Sequence, residues 1–398
     1  MSVVGSMVGA MAAVSAVLAP GAVADDVQSK QWYLDAMHAE EMWKVSTGKG
    51  VKVAVVDSGV NPETSSLKGQ VLADEVPKSV AFHATKDYQG HGTTMAELIA
   101  GTGEGGGLKG LAPDAKIVPY RVRLDTLKDK SERAKTPDLD KAIRAAADTD
   151  AQIISMSIGS AAFDDETEAA VKYAASKGKL MVAATGNSGK GDLEYVEYPA
   201  AYPNVVGVAA VDEDGKVADF SSHGNYVDLG APGEDLPMWC DNTFRAYCDN
   251  GGGTSSATAL TSASAALVWS AHPGWTANQV LRVLIDTASR KWAKDDPSTY
   301  LGYGLIRPRV VLADSGIDAG AAGTDPLAKE NEAGATGASP SASASKGAQS
   351  SDEGSGETAA AGADSGSSGG TLWTILGAAA VAMIGGATFA VIRARRRG

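Results

Sequence analysis

At 398 residues, 44% of them hydrophobic, the chain is long enough to bury a sizeable core, and one α/β domain of about 250 residues or more is a common use of such a length. Aromatic residues make up only 6% while glycines number 47, which favours a core of Ala, Val and Gly beside a low-complexity segment. The net charge of −13 offers no basic stripe to neutralise phosphates, which argues against nucleic acid as a partner.

In chain order, residues 1–24 carry no charge and end in Ala22-Val23-Ala24 before Asp25-Asp26, the pattern of an export signal cleaved after Ala24. One element of that pattern is missing, because no Lys or Arg precedes Lys30. Residues 25–49 form a short N-terminal arm.

Residues 50–313 read as one continuous α/β pattern. Short apolar runs at Val51–Val56, Ile117–Val122, Ile153–Ile158, Leu180–Ala184 and Val205–Val211 predict strands, and Ala-rich stretches at Asp138–Ala147 and Glu166–Lys177 predict helices between them. Strands and helices alternating at this spacing indicate a parallel sheet covered on both faces, with the site at the carboxyl ends of the strands.

Three residues stand in Gly-framed turns at strand or helix boundaries of this domain. Asp57 closes the first strand in VAVVDSGV, and His91 lies between glycines in QGHGTTMAELIAG, just before a predicted helix. Ser255 follows three glycines in NGGGTSSATALTSASAALVWSAH, where a flexible turn enters a helix of small residues. The first turn of that helix leaves N–H groups free to stabilise negative charge. Together the three supply an attacking serine, a histidine to take its proton, and an aspartate to fix the imidazole tautomer. Each alone also suits a cap, a polar loop or a buried small-residue helix; their Asp, His, Ser order is that of one known catalytic arrangement. His38, His83, His223 and His272 are expected to be surface or loop residues.

After the domain, residues 314–370 are Ala, Gly, Ser, Thr, Asp and Glu with almost no large apolar side chains, which predicts a disordered linker with an average reach of about 40 Å. Residues 371–392 carry no charge, are mostly apolar, Gly and Ala, and match the length of a membrane span, and Arg393, Arg395, Arg396 and Arg397 in the tail 393–398 should stay cytoplasmic. The expected location is thus the cell membrane, single-pass, with the main domain outside.

VAVVDSGV, GHGTTMAELIAG and GGTSSATA resemble the three signature blocks of the subtilisin-like serine peptidases, and the resemblance extends from about Trp32 to Leu312. It implies a three-layer domain with a mostly parallel central sheet flanked by helices, and Asp57, His91 and Ser255 as the triad of an acyl-enzyme mechanism. Ser157, Ile158 and Gly159 resemble the family's substrate-binding edge strand. Asn187, in AATGNSG, resembles its oxyanion-hole donor, although Asn-Ser-Gly is also a good turn. Where the family usually has Met-Ala-Thr-Pro after the serine, this chain has Ser256-Ala-Thr-Ala259, which should alter the helix start without changing the chemistry.

The export signal, arm, domain, linker, span and basic tail together resemble the mycosins, membrane-anchored proteases of actinobacterial type VII secretion. That resemblance implies an arm that wraps the domain instead of a removed inhibitor, protein or peptide substrates, and association with secretion-complex membrane components. In an exported domain Cys240 and Cys248 would be oxidised to a disulfide just before Gly251, and no cofactor or metal is expected. Two alternatives remain: a scaffold of a secretion complex with a quiescent triad, and a general cell-surface subtilisin with no secretion partner.

Overall fold

The computed structural model describes residues 27–189 and 196–335. The export signal, residues 336–370 of the linker, the membrane span at 371–392 and the basic tail lie outside these residues. Among the described residues, no helix is long and apolar enough to cross a membrane.

The arm contributes α1 (Trp32–Ala36) and α2 (Ala39–Trp43). The domain follows as β1 (Lys52–Asp57), α3 (His91–Ala100), β2 (Lys116–Arg121), α4 (Lys130–Lys135), α5 (Leu139–Ala147), β3 (Ile153–Met156), α6 (Asp165–Ser176), β4 (Leu180–Ala184) and β5 (Val205–Val211). Then come β6 (Leu229–Pro232), β7 (Glu234–Trp239), β8 (Tyr247–Gly252), α7 (Thr254–Ala271), α8 (Ala277–Thr287), α9 (Pro308–Ala313) and α10 (Ala328–Ala335).

Six strands form one sheet in the order β2-β1-β3-β4-β5-β6, every neighbouring pair parallel. The strands are apolar on both faces because both faces are covered. Val53 and Val55 of β1 enter one core, with α3, α7 and α8, whereas Ala54 and Val56 enter the other, with α5 and α6. All five expected strands are present in this sheet. β3 stops at Met156 instead of Ile158, leaving Ser157, Ile158 and Gly159 outside the regular strand.

α7 runs through the first core against α3 and strands β3 to β6. Its Ala, Ser and Thr residues allow close approach from every side, and Thr258 and Ser264 turn their hydroxyls back to the carbonyls of Thr254 and Leu260 at 2.8 and 2.7 Å. Antiparallel β7 and β8 lead into it. Cys240 and Cys248 are disulfide-bonded across this hairpin.

The arm is part of the fold. Tyr33 and Met42 are fully buried in the first core, Gln31 exchanges two bonds with the backbone of Lys109, and Trp43 Nε1 donates to Leu111 O at 2.9 Å. Ser46 Oγ reaches Leu267 O, at the far end of α7 from Ser255.

The linker's expected start at Asp314 differs from what the structure shows, since the chain stays packed well beyond it. Ala319 and Leu327 are buried in the first core, and Gln279 and Arg282 of α8 bond the carbonyls of Gly320 and Thr324 at 2.9 Å. Two apolar anchors and a row of carbonyls caught by α8 suffice to hold a segment whose average composition reads as disordered.

Candidate active site

Asp57 is the last residue of β1 and is wholly buried. Its Oδ1 accepts from Ser58 N at 2.7 Å and pairs with His91 Nδ1 at 2.8 Å. His91 opens α3, and the helix comes this close because Gly92 lacks a side chain: a Cβ there would lie 2.9 Å from the Cβ of Asp57 and clash with Gly59 O. Asp87 fixes the turn before α3. It accepts from Gln89 N, Gly90 N and Thr93 N, all at 2.9 Å, and from the hydroxyls of Thr93 and Ser58.

Desolvation by itself would lower the His91 pKa. The charge and hydrogen bond of Asp57, with Asp87 behind it, outweigh that and leave the imidazole pKa raised.

Ser255 is the second residue of α7 and is reached through Gly252 and Gly253, whose φ values of 124° and 154° fall where L side chains rarely go. Its hydroxyl donates to Ser157 O at 3.0 Å, and Ser157 Oγ donates to Ser255 O at 2.9 Å. The structure therefore pairs Asp57 with His91, and pairs Ser255 with Ser157 in the segment after β3. No hydrogen bond joins Ser255 to His91 among the described residues.

Asn187, just past β4, turns its carbonyl oxygen to Thr254, accepting from Thr254 N at 2.9 Å and Thr254 Oγ1 at 3.1 Å. That choice commits Oδ1 and leaves the amide N–H groups of Asn187 beside the start of α7, with no partner among the described residues. Thr254 is the hinge of this contact, since its hydroxyl also accepts from Gly186 N.

The remaining histidines serve elsewhere: His38 and His83 face Glu41 and Glu132, and His223 and His272 lie against Tyr300 and Trp275. Sequence reasoning did not single out Ser58, Asp87 or Thr254. Asp87 had a readable signal, an Asp three residues before a glycine that starts a helix; the roles of Ser58 and Thr254 depend on tertiary contacts.

A buried carboxylate on imidazole, and a serine at a helix start beside an amide donor, on a parallel α/β sheet, are the groups that a serine peptidase uses. Residues 48–304 match the subtilase family, Peptidase_S8, and the chain belongs to that family as a subtilisin-like serine endopeptidase. It is 32% identical to thermitase of Thermoactinomyces vulgaris, over 68% of this chain and 95% of thermitase. It is 33% identical to the minor extracellular protease Epr of Bacillus subtilis over 72% of this chain, a match that spans only 42% of Epr. Among solved structures it is similar to MycP1 from Mycobacterium smegmatis, at 27% identity and a TM-score of 0.58, covering 74% of this chain and 86% of that one. The MycP3 protease from the type VII (ESX-3) secretion system gives 28% identity and a TM-score of 0.59 over 74% and 90% of the two chains. The mycosin-type resemblance seen in the sequence thus extends to the fold.

Proposed function

We propose that this chain is a membrane-tethered, extracytoplasmic endopeptidase that processes substrates of a type VII secretion system, with Ser255 as nucleophile. The 2.8 Å contact between His91 Nδ1 and buried Asp57 carries the reading, because it commits Nδ1 and leaves Nε2 to act as base. Ser255 Oγ turns from Ser157 O to His91 Nε2, attacks the scissile carbonyl carbon, and gives its proton to the imidazole. The oxyanion takes the amide N–H of Asn187 and the backbone N–H of Ser255. His91 then protonates the leaving amine, and water, deprotonated by the same imidazole, hydrolyses the acyl-enzyme. The segment Ser157, Ile158 and Gly159, which continues from the end of β3, pairs with the substrate backbone as an added strand.

The similarity to MycP1 and MycP3 supports the assignment to secretion, and the apolar run at 371–392 supports the tether. Another MycP1 structure is described as that of an essential component of its type VII (ESX-1) system, which favours a second, structural role in the complex here. The test compares new N-termini among secreted proteins from cells carrying wild type, Ser255→Ala or a deletion. Specific cut sites lost in Ser255→Ala while secretion persists support processing. Cut sites unchanged in Ser255→Ala overturn it, and secretion lost only in the deletion supports the structural role.

A further inference from the structure

Glu197 occupies a place that the triad does not explain. Its carboxylate lies between two glycine segments that flank the nucleophile: a Cβ on Gly159 would clash with Oε2, and one on Gly186 would clash with Oε1. Gly159 ends the segment after β3 that begins at Ser157, and Gly186 directly precedes Asn187. Glu197 is half-buried and forms no ion pair among the described residues; the one hydrogen bond its carboxylate takes from them is a long one, 3.5 Å, from Ser188 Oγ. Burial raises its pKa, which the Ser188 contact only partly offsets.

The substrate carbonyl must sit between Ser255 Oγ and the Asn187 amide. The side chain of the residue that owns this carbonyl then enters between Ser157–Gly159 and Gly186–Asn187. The glycine walls supply no charge, and among the described residues Glu197 places its carboxylate where the two walls converge. A neutral side chain there would strip water from the carboxylate and give nothing in return. An acidic one would be repelled, whereas a cation would form a charge-assisted hydrogen bond in a partly desolvated site.

We propose that Glu197 sets substrate specificity, selecting Lys or Arg on the carbonyl side of the scissile bond. This rests on Ser255 being the nucleophile, so the experiment reads the two separately. The full chain, as wild type, Glu197→Gln and Glu197→Lys, is labelled with a fluorophosphonate to count active sites, then assayed on fluorogenic peptides differing only at that residue. The informative pairs are Lys against norleucine and Arg against citrulline, which keep length and change charge.

Per labelled site, wild type should favour the cationic member of each pair in kcat/KM by about tenfold to a hundredfold, the range of a charge-assisted bond. Glu197→Gln should bring the ratio near unity, and Glu197→Lys should invert it towards Glu. Full labelling of Ser255 with equal turnover of Lys and norleucine peptides overturns the specificity assignment alone, as does a Lys preference that survives Glu197→Gln. Absence of labelling in folded wild type overturns both readings.

Discussion

Ser157 and Ser255 hold each other by two reciprocal hydrogen bonds, Ser157 Oγ to Ser255 O at 2.9 Å and Ser255 Oγ to Ser157 O at 3.0 Å. The resting partner of the proposed nucleophile is thus a carbonyl on the segment where a substrate strand would pair. On that proposal, a substrate N–H that takes Ser157 O would displace the Ser255 hydroxyl and free it for His91, which would link binding to activation. Ser157→Ala keeps the carbonyl and removes only the other bond, which should cost about 1 kcal/mol and lower kcat/KM roughly fivefold. Melting and steady-state kinetics check this, and an unchanged kcat/KM would show that the bond does not position Ser255. Ser255→Ala, by contrast, should lower kcat by on the order of 10⁶.

His91 must be neutral to accept a proton, and its pKa is raised chiefly by Asp57 against the opposing effect of burial. The acid limb of the kcat/KM profile should therefore have its midpoint above the ordinary histidine value of about 6.5. The protonated pair contributes stability that is fully present below about pH 6.5 and is lost as pH rises through the raised value. Asp57→Asn removes the charge, so the midpoint should move down, with kcat reduced by about 10⁴ through the wrong tautomer. A midpoint that stays in place in Asp57→Asn would mean that another group controls the profile.

Asn187 is oriented by Thr254, which occupies Oδ1 with both its N–H and its hydroxyl. Asn187→Ala should lower kcat by about 10²–10³ with KM little changed, because an oxyanion donor acts on the transition state. Thr254→Val keeps the backbone bond but loses the hydroxyl's two contacts, so it should reproduce part of that loss in kcat. Equal losses in kcat and in substrate affinity for Asn187→Ala would instead assign Asn187 to ground-state binding.

The sheet is legible because its strands are buried on both faces and so read as short runs in which Val, Ile, Leu, Ala and Met predominate. β6 was not read as a strand, since Leu229-Gly-Ala-Pro232 is too short and too Gly- and Pro-rich to show a period. Asp57, His91 and Ser255 were legible from the glycines around them, which the close packing at Gly92 and the turn at Gly252 and Gly253 require. The Ser157–Ser255 exchange and the seat of Glu197 were not, because they join residues about a hundred positions apart or meet only through the folded walls. The packing of Ala319 and Leu327 escaped for a related reason: two anchors vanish in a composition average.

Glu97 lies on α3 six residues beyond His91, wholly buried, and ties that helix to the hairpin that delivers Ser255. Its Oε2 accepts from Tyr247 OH at 2.8 Å, while its Oε1 is buried without a hydrogen-bond partner. Desolvation is the main cause that pushes its carboxyl up to about 7, against smaller lowering contributions from Thr64, Tyr247 and Trp239. The folded state therefore binds a proton that the unfolded chain releases near pH 4.5. Stability should fall as pH rises from about 4.5 to about 7, by about 3 kcal/mol from this group. Glu97→Gln keeps the shape and cannot ionise, so it should lose this slope and exceed wild type in stability at pH 8. Urea unfolding of both proteins at pH 5 and pH 8 reads the difference. If wild type and Glu97→Gln change in parallel between those pH values, Glu97 is not the buried neutral acid, and its contact with Tyr247 must be made as a carboxylate.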